Sequence, residues 1–244
     1  MQRTTMLRII AATLLALAGL AAGTACASEA SIQQGFQAKF PTAIVESVTR
    51  TPFAGIYEVV FNGQIAYTDE KLNFVFFGNL VDVRAGAERN LTRERSTQLA
   101  SQTLRKSSDN AIKRVRGNGK RVLYTFEDPN CGYCRELQKE VMKLTDVTVY
   151  TFLWPILSPD SVEKSKAVWC SKDRAKAWDD LMSRGIVPQN SAKCDAPLEK
   201  NHELAQRFGI RGTPAIFLAD GRQVGAGYVP ASELDLALNS VASK

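Results

Sequence analysis

The stretch "YTFEDPNCGYCREL", residues 124–137, decides how the rest of the chain is read. Cys131 and Cys134 stand two residues apart, after the apolar run "RVLYTF" (121–126) and at the head of "CGYCRELQKEVMKLT" (131–145), which has helical spacing. Two cysteines so placed can hold a metal, lock a turn or carry electrons. Tyr133, Leu137, Val141 and Leu144 fall at i, i+4, i+8 and i+11, which predicts one helix face docked on a sheet. Cys131 is then expected at the first turn, where unpaired N–H groups and the helix dipole favour an anion. A thiolate there has its pKa lowered. Cys134, one turn on, is expected to be sheltered behind an exposed Cys131. An exposed attacking sulfur with a sheltered resolving one is what thiol–disulfide exchange requires.

The competing chemistries fit less well. A zinc site needs a second ligand pair, but Cys170 and Cys194 are not a Cys-x-x-Cys, and His202 is the only histidine. A cysteine protease needs a histidine base beside its nucleophile, and His202 sits in a polar helix, where it reads as a plain surface residue. A disulfide serving only to close the 131–134 loop removes little unfolded-state entropy.

Outward from this motif, the first 27 residues read as a cleavable secretory signal. Arg3 and Arg8 precede the uncharged run "IIAATLLALAGLAAG", and Ala25-Cys26-Ala27 fits a small-x-small cleavage site, so cleavage is expected near Ala27. Cys26 as a lipidated first residue is the alternative; Gly23 stands where such signals carry leucine. About 217 residues remain, comfortable for two domains. The formal charge of +6 loses two arginines with the signal, leaving about +4, a balance that favours solubility and indicates no polyanion partner. Four cysteines remain in an exported chain, and four allow three pairings.

Residues 28–85 read as an α+β domain. Ile32, Phe36 and Phe40 mark a helix ended by Pro41, followed by the strand-like runs "AIVESV", "GIYEVVF", "QIAYT", "NFVFF" and "NLVDV". Asn62-Gly63 between two of them signals a tight hairpin. No His, Cys or paired carboxylate cluster occurs here, so the domain is expected to work by packing. Residues 86–119 are polar, with sparse leucines, an opening at Thr92 and a stop at Gly117-Asn118-Gly119, and they read as a linker helix. Its basic run (Arg105, Lys106, Lys113, Arg114, Arg116, Lys120, Arg121) lacks interleaved aromatics for base stacking, so we read a solvated face and no nucleic acid partner.

From residue 120 strand and helix alternate. "VTVYTFLW" is a second strand, a long helical stretch runs from about Asp160 to Arg184, "PLEKNHELAQRFG" is a helix, and "AIFLA", "QVGAG" and a helix from Ser232 close the chain. "GIRGTPAIFL" sets Pro214 before a buried strand. A proline there argues against the strand unless its peptide bond is cis, and composition leaves cis and trans both open.

"CGYC" at a helix start with "GTPA" before a late strand resembles the thioredoxin superfamily. The whole layout resembles the DsbC/DsbG family of periplasmic thiol:disulfide interchange proteins, and its DsbC branch most closely. "TFEDPNCGYC", "AVWCSKDRAKAWDD" and "FGIRGTPAIFL" carry the likeness, which spans the mature chain. The resemblance implies a cystatin-like N-terminal dimerisation domain, a linker helix and a thioredoxin-like α/β domain with a helical insertion. It implies a protein-disulfide isomerase with Cys131 as nucleophile, Cys134 as resolving thiol, and Gly132, Tyr133, Thr213 and a cis Pro214 shaping the client site. It further implies a structural disulfide between the remaining Cys170 and Cys194. No metal or other cofactor is needed. Implied partners are misfolded or misoxidised periplasmic proteins, a membrane electron donor of the DsbD type, and a second copy in a V-shaped homodimer with an apolar cleft; chaperone activity goes with them. A DsbG-like reductase, a monomeric thiol oxidase and a holdase chaperone are the alternatives. The chain departs from thioredoxin in one respect: Thr125 stands where thioredoxin buries an aspartate six residues before its first cysteine. Glu127 and Asp128 lie closer, and whether either assists proton transfer is open at this point.

Overall fold

The computed structural model describes residues 28–84, 86 and 88–242. The signal-peptide reading and Cys26 fall outside the described residues. The chain divides into two compact units, the first ending at Thr92 and the second beginning at Arg93.

In the first unit, helix α1 (residues 28–39) is followed by a four-stranded antiparallel sheet in the order β1-β2-β3-β4. The strands are β1 (Val45–Arg50), β2 (Tyr57–Phe61), β3 (Gln64–Thr68) and β4 (Val75–Phe76). Ile32 and Phe36, one helical turn apart, pack on Val48, Val59 and Ala66, which supplies the apolar burial that a lone sheet lacks. Asn62 and Gly63 both take positive φ (48° and 75°), so β2 and β3 join with the twist a two-residue hairpin needs. A short ribbon of β5 (Val81–Asp82) and β6 (Arg89–Asn90) leads into α2 (Leu91–Lys106).

The linker-helix reading of 86–119 requires correction. Only Leu91–Lys106 is helical, and Ile112–Arg116 is a strand, β7, at the edge of the second unit's sheet. Arg114 is therefore not on a solvated helix face; it is 7% exposed and points inward with Ile112.

The second unit holds a five-stranded sheet ordered β11-β10-β8-β9-β7. Strands β8 (Arg121–Glu127) and β9 (Val147–Leu153) run parallel across α3 (Gly132–Val141), while β7, β10 (Ala215–Leu218) and β11 (Gln223–Ala226) add antiparallel pairs. Both faces of β8 are covered. Leu123 meets Leu137 and Val141 of α3 and Leu234 and Leu238 of α7 (Ala231–Ala242); Tyr124 and Phe126 meet Leu104 of α2 and Leu204 of α6 (Leu198–Arg207).

The expected single helical stretch 160–184 is two helices, α4 (Pro159–Trp169) and α5 (Arg174–Arg184). Asp173 breaks it by capping the second: its side chain accepts from the Lys176 N–H at 2.9 Å, an arrangement open only to a non-helical residue. Cys170, at the end of α4, is bonded to Cys194, with an S–S distance of 2.00 Å.

Candidate active site

The site is set by where β8 stops. Asp128 follows the strand and is buried, and each of its oxygens accepts two hydrogen bonds: Oδ1 from the Asn130 N–H and the Ser161 hydroxyl, both at 2.8 Å, and Oδ2 from the backbone N–H groups of Ile156 and Leu157, at 2.8 and 2.9 Å. This carboxylate fixes the turn 128–131 against the start of α4 and delivers Cys131 to the N-cap of α3.

At that cap the Cys131 sulfur accepts from the Cys134 N–H at 3.4 Å and lies 3.3 Å from the Thr213 carbonyl. Its pKa is lowered to about 6, first by the hydrogen bond from the Cys134 side chain, then by Thr213 and the amides of Cys134 and Tyr133, against an opposing effect of burial. Cys134 moves the other way: burial, the neighbouring Cys131 and the charge on Glu127 push its thiol well up. The two sulfurs are chemically unequal, although not through exposure. Cys131 is 6% exposed and Cys134 0%, so the expected exposed sulfur is in fact nearly covered. The asymmetry arises from hydrogen bonding at a helix end. Both cysteines are free thiols.

Thr213–Pro214 is a cis peptide bond and opens β10 beside Cys131. A cleft of about 730 Å³ adjoins it, lined by Tyr133, Arg211, Thr213, Pro214, Gln223 and Tyr228 among others. Gly132, Tyr133, Thr213 and Pro214 thus gather around Cys131, while the Cys170–Cys194 bond lies on the helical insertion. Tyr133 is 69% exposed, which corrects its placement on the docked face of α3. Leu137, Val141 and Leu144 of the expected face are buried as the spacing predicts, and Cys134 and the polar Gln138 complete the buried face where Tyr133 leaves it.

Sequence reasoning missed the polar strip under the first turns of α3. Thr125 and Glu127 of β8 and Thr151 of β9 face the helix. Glu127 Oε1 accepts from the Thr125 hydroxyl (2.7 Å) and from Gln138 Nε2 (3.0 Å), and Oε2 accepts from the same amide at 2.9 Å. Arg114 donates to Gln138 Oε1, to Thr151 Oγ1 at 2.9 Å and to Asp179 of α5 at 2.9 Å. The charge of Arg114 gave no hint of burial, because its partners lie 24 to 65 residues away. His202 also differs from a plain surface residue: its Nδ1 accepts from Trp154 Nε1 at 3.1 Å.

The comparisons agree with the geometry at both ends of the chain. Residues 108–242 match the thioredoxin-like domain, and residues 23–93 match the N-terminal domain of disulfide bond isomerase proteins. The probable thiol:disulfide interchange protein DsbC of Bordetella parapertussis is 44% identical over 209 residues, covering 85% of this chain and 73% of that protein. The thiol:disulfide interchange protein DsbC of Escherichia coli is 30% identical over 217 residues, covering 87% and 88%. A disulfide interchange protein of Neisseria gonorrhoeae with a solved structure is 43% identical, with a TM-score of 0.52 over 55% of this chain and 96% of that one. With each unit matched by its own domain family and full-length relatives at this identity, the chain belongs to the DsbC family of thiol:disulfide interchange enzymes.

Proposed function

We propose that the protein is a periplasmic disulfide isomerase that reshuffles non-native disulfides of exported proteins. The observation that carries this reading is the inequality of the two sulfurs: Cys131 is an anion near neutral pH at the head of α3, and Cys134 keeps its proton one turn behind. Cys131 attacks a client disulfide and forms a mixed disulfide. Release then follows either from another client thiol, which isomerises the client, or from Cys134, which reduces it. Tyr133, Thr213 and Pro214, with Gly132 leaving room beside them, present the client backbone to Cys131. The Cys170–Cys194 bond is structural, tying the end of α4 to the segment before α6.

Further parts of the reading rest on the family. Export by the leader places the enzyme in the periplasm, a membrane donor of the DsbD type keeps the pair reduced, and two copies associate through residues 28–83. Exposed apolar side chains in the first unit (Ile44, Phe76, Phe77 and Val83) favour such pairing and a chaperone contribution. Among the described residues no helix is long and apolar enough to cross a membrane.

The test is recovery of activity from a scrambled multi-disulfide client. The wild type is expected to restore it and Cys131→Ser to lose the effect. If Cys131→Ser restores the client fully, the holdase reading replaces this one. Light scattering on the purified protein distinguishes a dimer from a monomeric oxidase.

A further inference from the structure

Glu127 is a wholly buried carboxyl group that neither the fold nor the exchange step so far described uses. Its neighbour Asp128 is fully engaged, with two donors on each oxygen, and acts as a tie. Glu127 is different. Its Oε1 takes donors from Thr125 and Gln138, but Oε2 takes only the Gln138 amide and keeps acceptor capacity. Gln138 lies four residues after Cys134, hence on the same face of α3, so the carboxyl sits beneath the helix turn that carries the Cys134 sulfur. The Asp128 amide, adjoining Glu127 in the chain, hydrogen-bonds that sulfur.

The surroundings equip this carboxyl to exist in both protonation states. Burial raises its pKa, and the Arg114 guanidinium is the main opposing influence. Gln138 cannot turn over freely, because its oxygen faces Arg114 and its NH₂ faces Glu127. The charged and titratable groups around Glu127 are Arg114 from β7, Cys134 from α3, Asp179 from α5, which shares Arg114, and Cys131 at the cap. Strand β9 contributes the uncharged Thr151.

We infer that Glu127 is the proton acceptor for Cys134 in the resolving step, with Oε2 receiving the proton and Arg114, through Gln138, positioning the carboxylate. This rests on the exchange reading of Cys131. In the mixed disulfide the Cys134 thiol gives its proton to Glu127, and the Cys134 thiolate attacks the Cys131 sulfur. The Cys131–Cys134 bond forms, the bond from Cys131 to the client sulfur breaks, and the client leaves as a thiolate with the bonding pair. The client is reduced by two electrons and the cysteine pair is oxidised by two. The proton held on Glu127 is then available to the departing thiolate. The consequence is regulatory: Glu127 sets how often a mixed disulfide ends in reduction of the client rather than in reshuffling.

The experiment mixes the reduced full-length protein with glutathione disulfide, quenches with acid, and follows the Cys131–glutathione adduct and its collapse to the 131–134 disulfide by mass spectrometry from pH 5 to 9. In Glu127→Gln the adduct is expected to form as in the wild type, but to collapse at least about tenfold more slowly at pH 7, the gap closing at alkaline pH where solvent takes the proton. Equal collapse rates at every pH, with the adduct formed normally, overturn the inference and leave the exchange reading intact. Absence of any Cys131 adduct in the wild type overturns both. A second measurement needs no variant: carbon-13 titration of the Glu127 carboxyl in the wild type is expected to give different midpoints in the reduced and oxidised proteins. A single midpoint shared by both states refutes the coupling.

Discussion

The acidity of Cys131 is the quantity on which the chemistry turns, and Cys134→Ala is the substitution that probes its origin. A pKa of about 6, against an ordinary 9.0, leaves the sulfur about nine-tenths ionised at pH 7, where an ordinary thiol is about one-hundredth ionised. The gain in thiolate is thus about ninetyfold, but the more acidic sulfur is a weaker nucleophile. With a Brønsted slope of about 0.45 the loss over this range is about twentyfold, so alkylation at pH 7 runs only about fourfold faster than for a free cysteine. At pH 5 the thiolate ratio grows to about nine hundredfold, and the rate advantage to about fortyfold. Iodoacetamide labelling from pH 4 to 9, read by peptide mass spectrometry, checks both figures. The first cause of the lowered pKa is the hydrogen bond from the Cys134 side chain. Its removal in Cys134→Ala leaves Thr213 and the helix N–H groups in place, so the midpoint is expected to rise by about 1 pH unit and labelling at pH 5 to slow about threefold. A wild-type midpoint at pH 8 or above refutes the reasoning, and so does a Cys134→Ala protein whose midpoint does not move.

Reduced wild-type protein gains stability with rising pH across the window from about 6 to 9, because there the unfolded chain still holds the Cys131 proton that the folded chain has lost; the gain vanishes as pH falls through about 6. Its ceiling is about 4 kcal/mol, reduced by solvent screening to about 2, and urea unfolding of wild type and Cys131→Ala at pH 5 and pH 8.5 measures it, an equal difference at both pH values counting against the claim. Replacing Cys170 and Cys194 together by alanine reopens a loop of sequence separation 24 and is expected to cost about 3 kcal/mol in denaturant unfolding while leaving the Cys131 labelling midpoint in place. Gly221→Ala is expected to cost at least about 2 kcal/mol, since Gly221 holds φ at +89° and an added Cβ meets the Thr97 carbonyl and lies 2.6 Å from the Ser101 nitrogen of α2. A thermal midpoint within 1–2 °C of wild type would show that α2 yields there.

Where the sequence was legible, the signal was local. The β8–α3–β9 unit could be read because an apolar run, a cap residue and a helical period stand side by side in about thirty residues, and the Asn62-Gly63 hairpin because two adjacent residues carry the whole requirement for positive φ. The readings that failed depended on distant partners. "AIKRVR" has the alternation of a strand, but its inward positions are Ile112 and Arg114, and a buried arginine hides the alternation until Gln138, Thr151 and Asp179 are brought to it. The apolar spacing that sets Tyr133 on the docked face fails for the same reason. An apolar period counts Tyr133 and skips Gln138, whereas the folded helix buries Gln138 against a carboxyl and leaves the tyrosine at the cleft.

The two consecutive acidic residues ahead of Cys131 show how one strand end supplies two different functions. Side chains alternate along a strand, so Glu127 turns with Thr125 toward α3, and Asp128, just past the last ladder position, turns to the start of α4. Asp128 meets donors rigid enough to saturate it: two backbone amides of one turn, the Asn130 backbone N–H and the hydroxyl of Ser161 in the first turn of α4. It therefore fixes where Cys131 sits. Glu127 meets a strip of hydroxyls and one amide, while the Arg114 guanidinium, paired with Asp179, acts on it from across Gln138, a setting that holds a carboxyl without committing its charge. Exchanging the two residues would put the saturating partners around the longer side chain and leave the shorter one short of Gln138. The order Glu-Asp is thus tied to the direction of β8, and the geometry of the attacking sulfur and the protonation of the resolving one are set by separate groups, one on each side of the same strand end.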